Sequence, residues 1–160
     1  MSATLTVNPN GTATHRGNGE TAPSSTDQPI THHESQLLRR GVAVAGLAGI
    51  ALIHLVDGVG KFHEVPYLGW MYMGLVAGCL VVAGMLLERD DLRAWYGAAG
   101  LSAAAFIGYA LSRTTGLPAA KDDIGNWFES LGIATLFAEV LVFAVSMRAI
   151  AALRRTRSQA

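Results

Sequence analysis

Two short stretches hold most of the residues that could do chemistry: DGVGKFHEVPYLGW, from Asp57 to Trp70, and SRTTGLPAAKDDIGNWFES, from Ser112 to Ser130. Just before and within the first, His54, Asp57, Lys61 and Glu64 fall within about 80° of one another on a helix that turns 100° per residue. An imidazole and a carboxylate three residues apart could share a proton or help ligate a metal. The same residues also suit an ion-pair ladder, Asp57 with Lys61 and Lys61 with Glu64, that anchors a helix end. Either reading requires the helix to continue through Gly58 and Gly60. His63 falls on the opposite side.

A third carboxylate, Glu139, interrupts a long apolar run. A charged group inside such a run costs roughly 2.5 kcal/mol or more and marks a functional candidate by default. At 1.5 Å per residue, His54 and Glu139 differ in depth by about 6 Å. Side chains or one water could close that distance. A His54–Glu139 pair could exchange a proton near neutral pH. The plainer alternative is a structural hydrogen bond from Ser102, Thr135 or a tyrosine to Glu139.

In the second stretch, Gly116 and Pro118 are placed to end a helix. Asp122 or Asp123 is placed to cap a short helix carrying Trp127 and Phe128, aromatic rings suited to a membrane interface. This segment is expected to re-enter or lie on the surface as a lid. Asp122, Asp123, Trp127 and Glu129 join Asp57, Lys61, His63 and Glu64 as candidates for one polar site. Their carboxylates and imidazoles could hold a divalent cation, but no tight ligand spacing supports it, and the metal and cofactor stay unknown. No nucleophile elbow, P-loop or zincin motif is present, so the chain is not read as an enzyme.

The elements that must position these residues are apolar. Of 160 residues, 51% are hydrophobic and only 15% charged, with 12 basic residues balancing 12 acidic ones. Neutrality gives no argument for a nucleic-acid partner. About 20 apolar residues suffice to cross about 30 Å of hydrocarbon. Four segments qualify, at about 37–56, 65–87, 94–112 and 131–153. Backbone polar groups must be paired in lipid, so these runs are helices. The predicted fold is an all-α membrane four-helix bundle, residues 36–155. A polar tail, 1–35, is expected to be disordered, and 156–160 form a short basic end. His15, His32 and His33 read as solvated tail residues. Cys79, the single cysteine, reads as a small apolar packer. Gly74 with Gly78, and Gly100 with Ala104 and Gly108, are spaced for close helix approach, within the bundle or in a homo-oligomer.

Orientation follows from Lys and Arg in the flanking segments. Eight (Arg39, Arg40, Arg89, Arg93, Arg148, Arg154, Arg155, Arg157) fall at one end and three (Lys61, Arg113, Lys121) at the other. Both termini are therefore expected in the cytoplasm of a multi-pass inner-membrane protein, with the two motif-bearing connections facing outward.

The strings IHLVDGVGKFHEVPYLG (Ile53 to Gly69) and SRTTGLPAAKDDIGNWFESLG (Ser112 to Gly132) resemble a group of small actinobacterial four-span membrane proteins. The Gly-Lys-Phe portion together with four spans is similar to the DoxX-like family. The first resemblance implies the fold and location; the second implies quinone or redox partners. Neither assigns a role to a residue. Three functions stay open: an outward polar site or surface that takes a small ligand, an ion or a membrane or extracytoplasmic protein partner; a redox or quinone-linked subunit; and a proton or ion pathway through His54 and Glu139.

Overall fold

The computed structural model describes residues 32–159, with side chains from Glu34 onward. The expected disorder of the tail, and the reading of His15, His32 and His33 as solvated, lie outside these described side chains. Four helices follow in order: α1 (His32–Glu64), α2 (Pro66–Glu88), α3 (Leu92–Thr114) and α4 (Ser130–Arg157). All four are long and apolar enough to cross a membrane. The protein is an all-α, multi-pass membrane four-helix bundle. Among the described residues there are no β-strands, only an isolated bridge between Leu117 and Ala120.

Each helix packs on its two neighbours in the ring α1–α2–α3–α4–α1, with α2 and α3 in least contact. The core lies mostly toward the end that carries the termini. It is built by Ala43, Leu47 and Ile50 of α1, Cys79, Val82 and Leu86 of α2, Ala94, Trp95 and Ala98 of α3, and Val142, Ala149 and Ile150 of α4. A Cβ at Gly46 would lie 2.3 Å from Val142, and one at Gly97 would lie 2.9 Å from Val82. Bare backbone at these two sites is what lets α1 reach α4 and α3 reach α2. Of the glycines expected to mark helix contacts, Gly78 does so, against Leu101. Gly74, Gly100 and Gly108 meet nothing within 4 Å.

Both connections at the other end differ from expectation. The segment Asp57–Trp70 is not a loop: α1 runs through Gly58 and Gly60 to Glu64, and α2 starts two residues later. At 33 residues, α1 is about 50 Å long, so its last two turns extend past the hydrocarbon and can carry charge. The break is Val65, extended at φ −143° and ψ 87°. A residue before proline is driven from helical geometry, and Pro66 is suited to the first turn of the next helix.

The short helix expected near 122–128 does not form; residues 115–129 are a series of turns. Gly116, at φ +75°, donates its N–H to the Leu111 carbonyl and ends α3. Gly125, at φ +81°, donates its N–H to the Arg113 carbonyl at 2.9 Å. That bond pulls the chain back over the end of α3, and a left-handed residue at 125 stops a helix from propagating. Val65, Leu68 and Ala120 are buried together with Leu117 packed on them, which seats the loop on the α1–α2 corner.

Candidate functional site

Under the 115–129 loop the four helices part around a cavity of about 600 Å³. Its body is apolar, formed by Ile53, Leu68, Met71, Leu75, Ile107 and Leu131, and its rim is polar or charged, formed by Asp57, Lys61, Arg113, Asp123 and Glu129. The space exists because α3 offers little side chain there: Ala104, Ala105 and Gly108 line it. The regular spacing of small residues thus opens a void rather than closing a contact. Met71 and Ile107 are 60% and 56% exposed while lining the cavity. The cavity therefore reaches the bundle surface along the α2–α3 seam.

The rim is organised by Arg113, which is buried. Its guanidinium pairs with Asp123 at 2.9 Å and Glu129 at 2.5 Å, and stacks 4.9 Å from the centre of the Tyr109 ring. Asp123 also lies 3.9 Å from Lys61, which pairs with Glu64 at 2.8 Å. One carboxylate thus links the end of α1 to the end of α3. The Tyr67 hydroxyl donates to the Pro118 carbonyl at 2.7 Å, and the Tyr109 hydroxyl to the Trp127 carbonyl at 3.2 Å. The loop is tied to α1, α2 and α3 by side chains. Arg113 Nε is buried with no hydrogen-bond partner. Leaving such a donor unmet costs about 1–3 kcal/mol, more when the group is charged.

Four of the eight expected outer-face residues line the cavity: Asp57, Lys61, Asp123 and Glu129. Glu64 reaches the rim only through Lys61. Trp127 packs its ring edge-on to Tyr109, with centroids 6.2 Å apart. His63 and Asp122 are exposed, away from the cavity lining. Among the described residues no three His, Cys, Asp or Glu side chains are grouped to hold a metal.

His54 lines the cavity, but not with Glu139. Its Nδ1 lies 2.9 Å from the Ile50 carbonyl, so that nitrogen carries a proton, since a carbonyl only accepts. Its ring meets Tyr72 edge-on at 5.1 Å, and the Tyr72 phenol lies beside Asp57. Glu139 sits one turn below Thr135, whose hydroxyl is 3.5 Å from Oε1, while Oε2 has no partner. Among the described residues no hydrogen bond or ion pair joins His54 to Glu139. The two face different neighbours, because rotation about each helix axis is set by its packing partners and not by distance along the helix. Ser102 turns to the Ala98 carbonyl instead, leaving Thr135 as the neighbour that matches the plainer expectation.

Arg113, Tyr72 and Tyr109 were not singled out from the sequence. Arg113 entered only as one charge in an orientation count. Its position at the end of a span, followed within sixteen residues by Asp123 and Glu129, is the signal that could have found it. Comparison with known protein families, curated proteins and solved structures returns no match.

Proposed function

We propose that this protein is a non-enzymatic membrane protein that binds a small amphiphile in the cavity under its outer loop. The supporting observation is the cavity's two-part lining: an apolar body open along the α2–α3 seam, and a charged rim that carries Lys61 and Arg113 with their carboxylate partners. A ligand with an apolar body and an acceptor-bearing head matches both parts. Pockets of this size with few convergent polar groups are the usual form of small-molecule sites. The ligand reaches the site sideways from the bilayer, its head held at the depth of Arg113 and Tyr72. By the arginine count, this end faces outward and both termini are cytoplasmic.

Mass spectrometry of the protein extracted in a mild detergent tests the reading. A defined lipid-soluble small molecule should copurify. It should be lost from Gly108→Phe, which places a ring in the cavity where a Cβ meets nothing within 4 Å. Equal recovery from the wild type and the variant would sink the proposal. The identity of the ligand separates the redox reading from the rest. An extracted isoprenoid quinone supports a quinone-linked subunit, and a non-redox amphiphile supports simple binding. A proton pathway has less support, since Glu139 lies outside the cavity lining and apart from His54.

A further inference from the structure

At the opposite end of the bundle, α1 and α4 enclose a second pocket, of about 410 Å³. It is lined by Ser35, Gln36 and Arg39 of α1 and by Arg148, Ala152 and Thr156 of α4, among others. Two guanidiniums from different helices therefore face one space. Among the described residues neither is in an ion pair. Several neighbouring arginines are accounted for. Arg40 donates to the Leu86 and Leu87 carbonyls, Arg154 stacks on Tyr96, and Arg157 lies 3.9 Å from Asp91. Arg39 is different: it is half-buried, and its Nε is shut off from solvent with no hydrogen-bond partner.

Two like charges around one pocket repel. A single anion between them relieves that repulsion. Guanidiniums are matched in shape to phosphate oxygens and can bind them through paired N–H groups. Gln36 adds an amide, while the Thr156 hydroxyl already donates to the Leu153 carbonyl at 2.9 Å. The depth also selects the anion. Arg39 stands near the start of the first span and Arg148 about 8 Å inside the end of the fourth, with apolar Ala152 beside it. That is where phospholipid headgroups meet the hydrocarbon, and basic pockets between spans at this level suit anionic headgroups. We propose that the Arg39–Arg148 pocket binds a phosphate anion, supplied by the headgroup of an anionic phospholipid.

The test is native mass spectrometry of the full chain in a non-ionic detergent. The added probes are phosphatidylglycerol, phosphatidylcholine of the same acyl chains, and inorganic phosphate. Phosphatidylglycerol should bind in preference to phosphatidylcholine. Arg39→Gln and Arg148→Gln should each weaken it about tenfold, the worth of one charge-assisted hydrogen bond. Displacement of the lipid by millimolar inorganic phosphate would keep the site and reassign its source to free phosphate. Equal binding of the two lipids, no binding of any probe, or unchanged binding in the variants would overturn the proposal. Arg148 is exposed, so Arg148→Gln decides the matter even if Arg39→Gln fails to fold. The outcome is independent of the cavity at the other end.

Discussion

The two halves of this bundle solve opposite problems with the same small residues. In the arginine-rich half, Gly46 and Gly97 let neighbouring helices approach until a methyl group would collide with Val142 or Val82. In the loop half, Ala104, Ala105 and Gly108 face a void instead, and the rim above it is closed by ion pairs and tyrosine hydroxyls. Lipid tails are as apolar as a protein core, so helices in a bilayer associate chiefly through packing and polar contacts. The close-packed half therefore holds the bundle together, and the hollow half is free to differ in what it contains.

The sharpest way to break that contrast is to truncate one large side chain in each half. Trp95 is 1% exposed, and its indole N–H donates to Asp90. Trp95→Ala is expected to lose about 3–5 kcal/mol of stability. Met71 lines the cavity and is 60% exposed, and Met71→Ala is expected to lose less than about 1 kcal/mol. Denaturant-induced unfolding in mixed micelles, followed by circular dichroism, compares the two. Similar losses would mean that the loop half carries as much of the stability as the packed half.

The rim is the next target. Arg113→Gln leaves Glu129 without its cation and Asp123 with only Lys61 at 3.9 Å, their side chains 43% and 31% exposed. Water can take up part of the loss, so the expected cost is about 2 kcal/mol, within the range for hydrogen bonds to charged groups. The loop at 115–129 should also become a preferred site of limited proteolysis, while the helices stay intact. Cleavage at the same rate as the wild type would show that the tyrosine hydroxyls hold the loop without Arg113.

How much of this contrast could be read from the chain differs between the halves. The spans were legible because length and hydropathy are local properties, and lipid allows only one solution for such runs. The arrangement of the loop half was less so. The alignment of His54, Asp57, Lys61 and Glu64 required a helix through Gly58 and Gly60, and α1 does continue, because Pro66 fixes the break beyond them at Val65. Asp122 and Asp123 looked like caps, yet Gly125 bonded back to Arg113. Asp57, Lys61, Asp123 and Glu129 were recognised as a group from their shared end of the bundle. Arg113 was missed because its role depends on a fold-back of the chain that no periodicity encodes. His54 and Glu139 were expected as a pair from depth alone, but rotation about each helix is set by packing partners, and no hydrogen bond or ion pair joins them among the described residues. The Gly100–Ala104–Gly108 stripe was legible as small residues, but not the fact that Ala104 and Gly108 wall a cavity, since the same spacing permits contact or void.

That ambiguity can be tested with a single methyl group. At Gly46 an added Cβ must push Val142 aside, and Gly46→Ala is expected to lose roughly 1–2 kcal/mol, the lower part of the range for overpacking. At Gly108 nothing lies within 4 Å, so Gly108→Ala should gain about 0.5–1 kcal/mol from reduced backbone freedom in the unfolded chain. Adding Val142→Ala to Gly46→Ala should recover part of the loss. If both glycine variants lose stability alike, the loop half is packed more closely than its cavity implies.

The smallest effect probes the loop itself. Residues 117–120 form a tight turn in which Leu117 and Ala120 exchange both backbone hydrogen bonds, at 3.2 and 2.9 Å. Ala119 occupies the third position at φ +60°, where glycine is the favoured residue. A left-handed alanine costs about 1–2 kcal/mol, and glycine gives part of that back as entropy in the unfolded chain. Ala119→Gly should therefore stabilise the protein by about 0.5–1 kcal/mol. Its direction is informative because Ala120, the next residue, is buried against Val65 and Leu68. If the strain is what presses Ala120 into that corner, relaxing the turn should release Ala120 and speed proteolysis of the loop. If thermal stability rises while the loop is cut no faster, the turn is held in its strained form by its contacts, and the rim, like the core of the other half, owes its shape to packing.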